Sequence, residues 1–154
     1  MPVKDPKLAA MFDMSGFDTI AASDKGAEVE LVHLKSGEPT GIFFKVLGSD
    51  STEWREHVNE RANKRLAAQF KAQRGGAKGQ DVPTIEDATA DAILLLTRCT
   101  IGWRTVTADG DKPVLILNGE ELPFNAVNCA KIYTDLPAVR EQVDTFIGDM
   151  GNFI

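Results

Sequence analysis

Two short apolar runs on either side of a Gly/Pro turn constrain the fold most. From Ala27 the chain alternates, with Val29, Leu31 and His33 in one phase and Glu30, Val32 and Leu34 in the other. Ser36-Gly37-Glu38-Pro39-Thr40-Gly41 follows, and then Ile42, Phe43, Phe44, Val46 and Leu47. Alternation rich in β-branched and aromatic residues predicts strands, and the turn residues between them predict a β-hairpin. A lone hairpin is marginal in water. The remainder of the chain must therefore cover it with a third strand or with helices.

The next segment changes period. Gly48 ends the second run, and Ser49-Asp50-Ser51-Thr52-Glu53 opens a helix, with Asp50 and Glu53 at capping-box spacing and Ser51 as a rival N-cap. The helix is predicted to run to about Gln73. Trp54, Val58, Ala62, Leu66 and Phe70 recur every four residues, which makes a narrow stripe that drifts around the helix. From Arg61 to Gln80 there is no acidic residue, while Arg61, Lys64, Arg65, Lys71, Arg74 and Lys78 are basic. This patch reads first as a solvated face and second as a dock for an acidic protein. Nucleic acid comes third and is not expected, because only Phe70 interleaves the charges and the chain carries a net charge of −6.

Residues 75–83 have linker composition. They divide an N-terminal hairpin-plus-helix unit, 1–74, from a C-terminal helical unit, 84–154; one integrated domain is the other arrangement open to a chain of 154 residues. Ahead of the hairpin, Met11, Phe12 and Phe17 either dock on the core or form a loose arm. Thr84 with Asp87 caps a helix along Ile85, Ala88, Ala92, Leu95, Leu96 and Cys99, with Gly102 as its expected stop. Asp109-Gly110-Asp111-Lys112-Pro113 predicts a turn, Val114–Leu117 a short strand, and Asn118-Gly119 a tight turn. Asn125 caps a short helix ending near Tyr133. Asp135 or Thr134 caps the last helix, with Pro137 in its first turn and Val139, Val143, Phe146 and Ile147 on its core face. The expected fold is α+β, mainly helical with about four helices, and a small antiparallel hairpin sheet near the N-terminus that residues 114–117 can extend. The expected core is Leu95, Trp103, Phe124, Ile132, Val143 and Phe146.

Reactive chemistry is sparse. His33 and His57 are isolated, and no HExxH, CxxC or CxxH spacing occurs. Gly75-Gly76-Ala77-Lys78-Gly79 lacks the order of a phosphate loop. Asp109-Gly110-Asp111 lacks the closing glutamate of a calcium loop. Glu120 and Glu121 are adjacent and rarely converge on one bond. Cys99 and Cys129 read as buried free thiols; a disulfide would need an oxidising compartment. No catalytic residue, metal or cofactor is expected. The first residues lack the apolar core of a secretory leader, and the longest apolar run, Ile93–Leu96, falls far short of the ~20 residues of a membrane span. A soluble intracellular protein is expected.

The C-terminal third has a further pattern. Cys99-Thr-Ile-Gly-Trp103, a short spacer, Asn118-Gly-Glu-Glu-Leu-Pro-Phe124, Asn128 and the helix from Pro137 to Val143 resemble the tail assembly chaperones of long-tailed bacteriophages. That family shows a tryptophan, a spacer, an Asp-Gly turn, Leu-Pro-Phe and an apolar helix in this order. The hairpin and the Leu47-Gly48-Ser49-Asp50-Ser51 step before a basic helix also look like related phage tail proteins. Asn118 stands here for the usual aspartate, Asn125 for the more usual serine, and the spacer Arg104–Leu117 is long. Trp103, Asn118, Gly119, Leu122, Pro123, Phe124 and Asn125 read as fold-forming residues.

The resemblance implies a non-enzymatic protein of the host cell cytoplasm. It would bind the phage tape measure protein and help recruit tail tube proteins, with homo-oligomers allowed. The contact surface expected on the long helix is Arg61, Lys64, Arg65, Phe70 and Lys71. The rivals are a structural virion protein of the tail or head completion, a binding module aimed at a host protein, and a small enzyme with a pocket at His33 or His57.

Overall fold

The computed structural model describes residues 11–74 and 84–154. A short 3-10 turn, Met14–Phe17, leads into α1 (Thr19–Lys25), and the hairpin follows as β1 (Ala27–Val32) and β2 (Pro39–Val46). The long helix α2 spans Thr52–Arg74, and α3 spans Ile85–Cys99. Then come β3 (Thr100–Thr107), β4 (Gly110–Lys112), β5 (Val114–Leu117), β6 (Glu120–Pro123), α4 (Ala126–Asp135) and α5 (Pro137–Gly148). The α+β class is as expected. The helix count is not, because the described residues form five α-helices; α1 is the addition, held at its start by the Asp18 carboxylate accepting from the Ala21 amide.

The sheet is larger than a hairpin. Its order is β1-β2-β3-β4, antiparallel throughout, so β2 pairs with both β1 and β3. The helix expected to run to Gly102 stops at Cys99 instead, and Thr100 turns straight into β3. The reason lies in side-chain chemistry. Thr100, Ile101, Trp103, Thr105, Val106 and Thr107 crowd six β-formers into eight positions, and β-branched residues lose χ1 freedom in a helix. Thr100 also locks the corner. Its hydroxyl donates to the Leu96 carbonyl at 2.7 Å and accepts from the Tyr133 hydroxyl at 2.7 Å.

Residues 114–117 form a strand, but they pair with β6 as a separate ribbon and do not extend the sheet. Asn118 and Gly119, at φ 50° and 82°, make the two-residue turn between them. Two positive φ angles in a row match the right-handed twist of a hairpin, and Asn-Gly accepts them with little strain. The ribbon is tied to β3. Thr105 Oγ1 donates to the Val114 carbonyl, and Trp103 Nε1 donates to the Leu122 carbonyl at 3.1 Å.

The core lies between the sheet and the last two helices. Phe44, fully buried on β2, has Trp103 beside it at 5.4 Å between ring centroids and Tyr133 of α4 at 6.0 Å. Val29, Leu31, Val46, Leu96, Ile132, Val143 and Ile147 complete it, with Phe153 at the C-terminal end. The core thus draws on residues from both sides of 75–83; the predicted linker itself lies outside the described residues. Leu95, expected in the core, is half-buried, and Leu96 takes its place. Phe124 and Phe146 are half-buried against the core. The edge of β1 is closed by Gln142, whose amide both donates to and accepts from the backbone of Val32.

Caps largely follow the sequence. Thr84 and Asp87 form a capping box, and the Asn125 side chain accepts from the Asn128 amide. Ser51, not Asp50, caps α2: its Oγ accepts from Trp54, while Asp50 accepts from Thr19. The last helix has no side-chain cap from Thr134 or Asp135; Leu136 precedes Pro137 there.

Candidate protein-interaction surface

The surface begins with the α2–α3 junction. Arg98 of α3 reaches Glu53 at 3.2 Å, Glu56 at 3.8 Å and Glu60 at 3.1 Å, three carboxylates on successive turns of α2. Burial opposes its charge, but Glu60 and Glu53 together outweigh that and raise its pKa above the ordinary arginine value. Asp91 of α3 accepts from His57 at 2.9 Å and pairs with Arg61 at 3.2 Å. These contacts run α2 and α3 antiparallel. Glu53 lies by Arg98 and Arg61 by Asp91, so the first residue of α3, Ile85, comes roughly level with Ala67 of α2. The last two turns of α2, Ala67–Arg74, therefore extend past the start of α3.

The drift of the apolar row explains what those turns present. At about 100° per residue, spacing four advances the row by about 40° per step. Between Trp54 and Phe70 it turns by about 160°, so the two ends face nearly opposite ways. Trp54 packs on the core, whereas Leu66 is 52% exposed and Phe70 63% exposed. Of residues 62–74, only Ala72 is half-buried and the rest are exposed. A helix leaving its partner with leucine and phenylalanine uncovered is the feature of the described residues least explained by folding.

The five residues expected to form one contact surface do not all share a face. Arg61 is held inward by Asp91. Lys64 and Lys71 are two turns apart on one side, with Arg65 on the next. Phe70 lies about 100° from Lys71 and about 120° from Lys64 around the axis. The helix thus has a basic side and an apolar side.

Apolar side chains are exposed elsewhere as well. Met11, Phe12, Met14 and Phe17 lie outside the core; Phe12 and Phe17 touch only each other in ring contact, centroids 5.0 Å apart. Their side chains do not dock on the core. An open groove of 420 Å³ between α3 and α4 is lined by Ile85, Glu86, Thr89, Ala90, Ile93 and Thr134.

In the C-terminal motif only Trp103 is buried; Leu122 and Phe124 are half-buried, and Asn118, Gly119, Pro123 and Asn125 are exposed. Phe124 stands edge-on to Trp103 at 5.1 Å and 89°, and the Asn128 side chain donates to the Pro123 carbonyl at 2.9 Å. Leu122, Pro123 and Phe124 thereby fasten the ribbon to the start of α4, next to the Asn125 cap. The isolated histidines do not converge on a cleft: His33 is exposed, and His57 is buried in the α2–α3 junction. Cys99 and Cys129 are free and buried, and burial pushes both thiols up to about 11. Among the described residues no group of three or more His, Cys, Asp or Glu side chains is placed to hold a metal ion, and no helix is long and apolar enough to cross a membrane.

Sequence reasoning found the α2 patch from its charge and its spacing. It missed the division into two sides, although four-residue spacing carries that information once the 40° step is summed. Compared with known proteins, the chain matches no family model, no curated sequence and no solved structure.

Proposed function

We propose that this protein is a non-enzymatic assembly factor of the phage tail assembly chaperone type, acting in the host cytoplasm. It holds a long helical client, the tape measure protein, and helps recruit tail tube subunits. The observation that carries this reading is the exposed end of α2, where Leu66 and Phe70 stand uncovered beside Lys64, Arg65 and Lys71. Chaperoning needs accessible apolar surface and charge that steers a partner of opposite sign, and it needs no reactive cleft. The Trp103–Phe124 motif that carries the family resemblance serves this function only by building the fold.

The test is co-expression with a tape measure protein and tail tube subunits encoded by the same genome. Wild-type chain is expected to co-purify with the tape measure protein and to be missing from mature virions by mass spectrometry. Lys64→Glu/Lys71→Glu is expected to lose the client while keeping its fold. Recovery of the chain in purified virions, or client binding unaffected by the double reversal, overturns the reading.

A further inference from the structure

The side of α2 that bears Leu66 and Phe70 carries no charge from Val58 to Gln73, its other residues being Ala62 and four amides, and its pattern is self-complementary. Asn59, Ala62, Leu66, Gln69 and Gln73 recur at spacings of three, four, three and four, with Asn63 and Phe70 beside them. This is the seam spacing of a helix pair. Every one of these residues is exposed. The lysines and Arg61 lie on the other side of the helix.

We infer that this strip is covered by the same strip of a second copy, in an antiparallel α2–α2 pair centred on Leu66. That register is chosen by the side chains. With Leu66 facing Leu66 of the second copy, Phe70 falls opposite Ala62, Gln69 opposite Asn63 and Gln73 opposite Asn59. A large ring meets a small residue, and amides meet amides that can exchange donor and acceptor. Arg74 and Glu56 come together on one flank, since both lie on the same edge of the strip and their levels match within one turn. The cost is Arg65, which meets its own symmetry mate on the other flank.

A parallel pair would set Phe70 against Phe70 and leave Ala62 facing Ala62. Docking of the lysine-bearing side on itself would oppose like charges. The seam from Asn59 to Gln73 is about 21 Å long. Two helices in contact over that length remove a few hundred Å² from each copy, below the roughly 800 Å² per partner of a stable interface and in the range of weak, transient ones. The dimer is therefore weak and concentration-dependent, and it leaves Lys64 and Lys71 facing outward on both helices. The inference goes beyond the chaperone reading and stands without it; because the dimer covers Leu66 and Phe70, a client that binds them displaces the second copy.

Sedimentation equilibrium on the full chain across a concentration series tests it. Wild type is expected to show a reversible monomer–dimer equilibrium. Phe70→Ala, counted twice by symmetry, weakens it by about a hundredfold. Ala62→Phe also weakens it, because two rings then compete for one space. The double variant Ala62→Phe/Phe70→Ala exchanges large for small and is expected to restore dimerisation to near the wild-type level. An equimolar mixture of Arg65→Glu with wild type is expected to form a heterodimer tighter than either homodimer. Circular dichroism confirms that these exposed positions leave the fold intact. A chain that stays monomeric throughout, a double variant no better than its parents, or a mixture that gains nothing overturns the inference.

Discussion

His57 Nε2 lies 2.9 Å from Asp91 Oδ1, while Nδ1 of the same ring lies 3.4 Å from a guanidinium nitrogen of Arg98. A guanidinium only donates, so Nδ1 must accept and the ring proton sits on Nε2, directed at Asp91. His57 is 3% exposed, so both nitrogens are satisfied out of reach of bulk water. This one ring joins the two halves of the α2–α3 contact: the Arg98–Glu53 pair at the start of α2 and the Asp91–Arg61 pair about two turns further on.

Asp91→Ala removes the acceptor of that proton and frees Arg61 at the same time. A buried donor left unpaired beside a lost charged hydrogen bond costs about 2–3 kcal/mol. Asp91→Asn keeps an acceptor and is expected to recover a good part of it. Urea unfolding gives the magnitudes, and amide exchange along α2 should accelerate most from Trp54 to Arg61. Equal stability of Asp91→Ala and wild type would show that the junction contributes nothing.

How much of this was legible depended on whether a signal was local. The hairpin, the Thr84 and Asn125 caps and the Asn118-Gly119 turn are written in neighbouring residues, and each formed where it was expected. β3 was hidden because Leu95, Leu96 and Cys99 carry a helical period up to its first residue, and Gly102 resembles a stop. Only the density of β-branched residues after Cys99 marks the change. The pairing of β2 with β3 joins Phe44 to Trp103 across about sixty residues, and no spacing rule encodes such a partner. The basic patch was visible as composition. Its orientation was not, because it depends on which side of α2 the buried His57 selects.

Gly48 offers a test of close packing. A Cβ there would come within 2.8 Å of the Ser23 Cβ and 2.9 Å of the Phe153 ring, and both neighbours are themselves buried. Gly48→Ala is expected to destabilise by about 1–3 kcal/mol through overpacking. A Cβ at Gly102 meets nothing within 4 Å. Gly102→Ala should therefore leave the urea midpoint unchanged or slightly raised. If the two alanine variants unfold alike, the α1–C-terminus contact is looser than this geometry requires.

The buried thiols make stability fall in alkali. Burial is the main cause of the upward shift at both, opposed at Cys99 by a hydrogen bond to Ser51 and at Cys129 by bonds to Thr100, Thr97 and Tyr133. An ordinary thiol titrates near 9.0, and these reach about 11 in the folded chain. The folded value exceeds the unfolded one, so the fold favours the protonated form. That contribution is whole below about pH 9 and is lost as the pH climbs to about 11. Tyr133, raised chiefly by the same burial, adds to the loss in the same direction. The urea midpoint is expected to hold between pH 7 and pH 8.5 and to drop steadily above pH 9. Replacing both cysteines by alanine should lower the midpoint at neutral pH, because two filled sites become cavities, yet flatten the alkaline slope. An unchanged slope in that variant would assign the alkaline loss to Tyr133 and the surface charges. Fast labelling of either thiol in the native protein at pH 8 would contradict the burial on which the prediction rests.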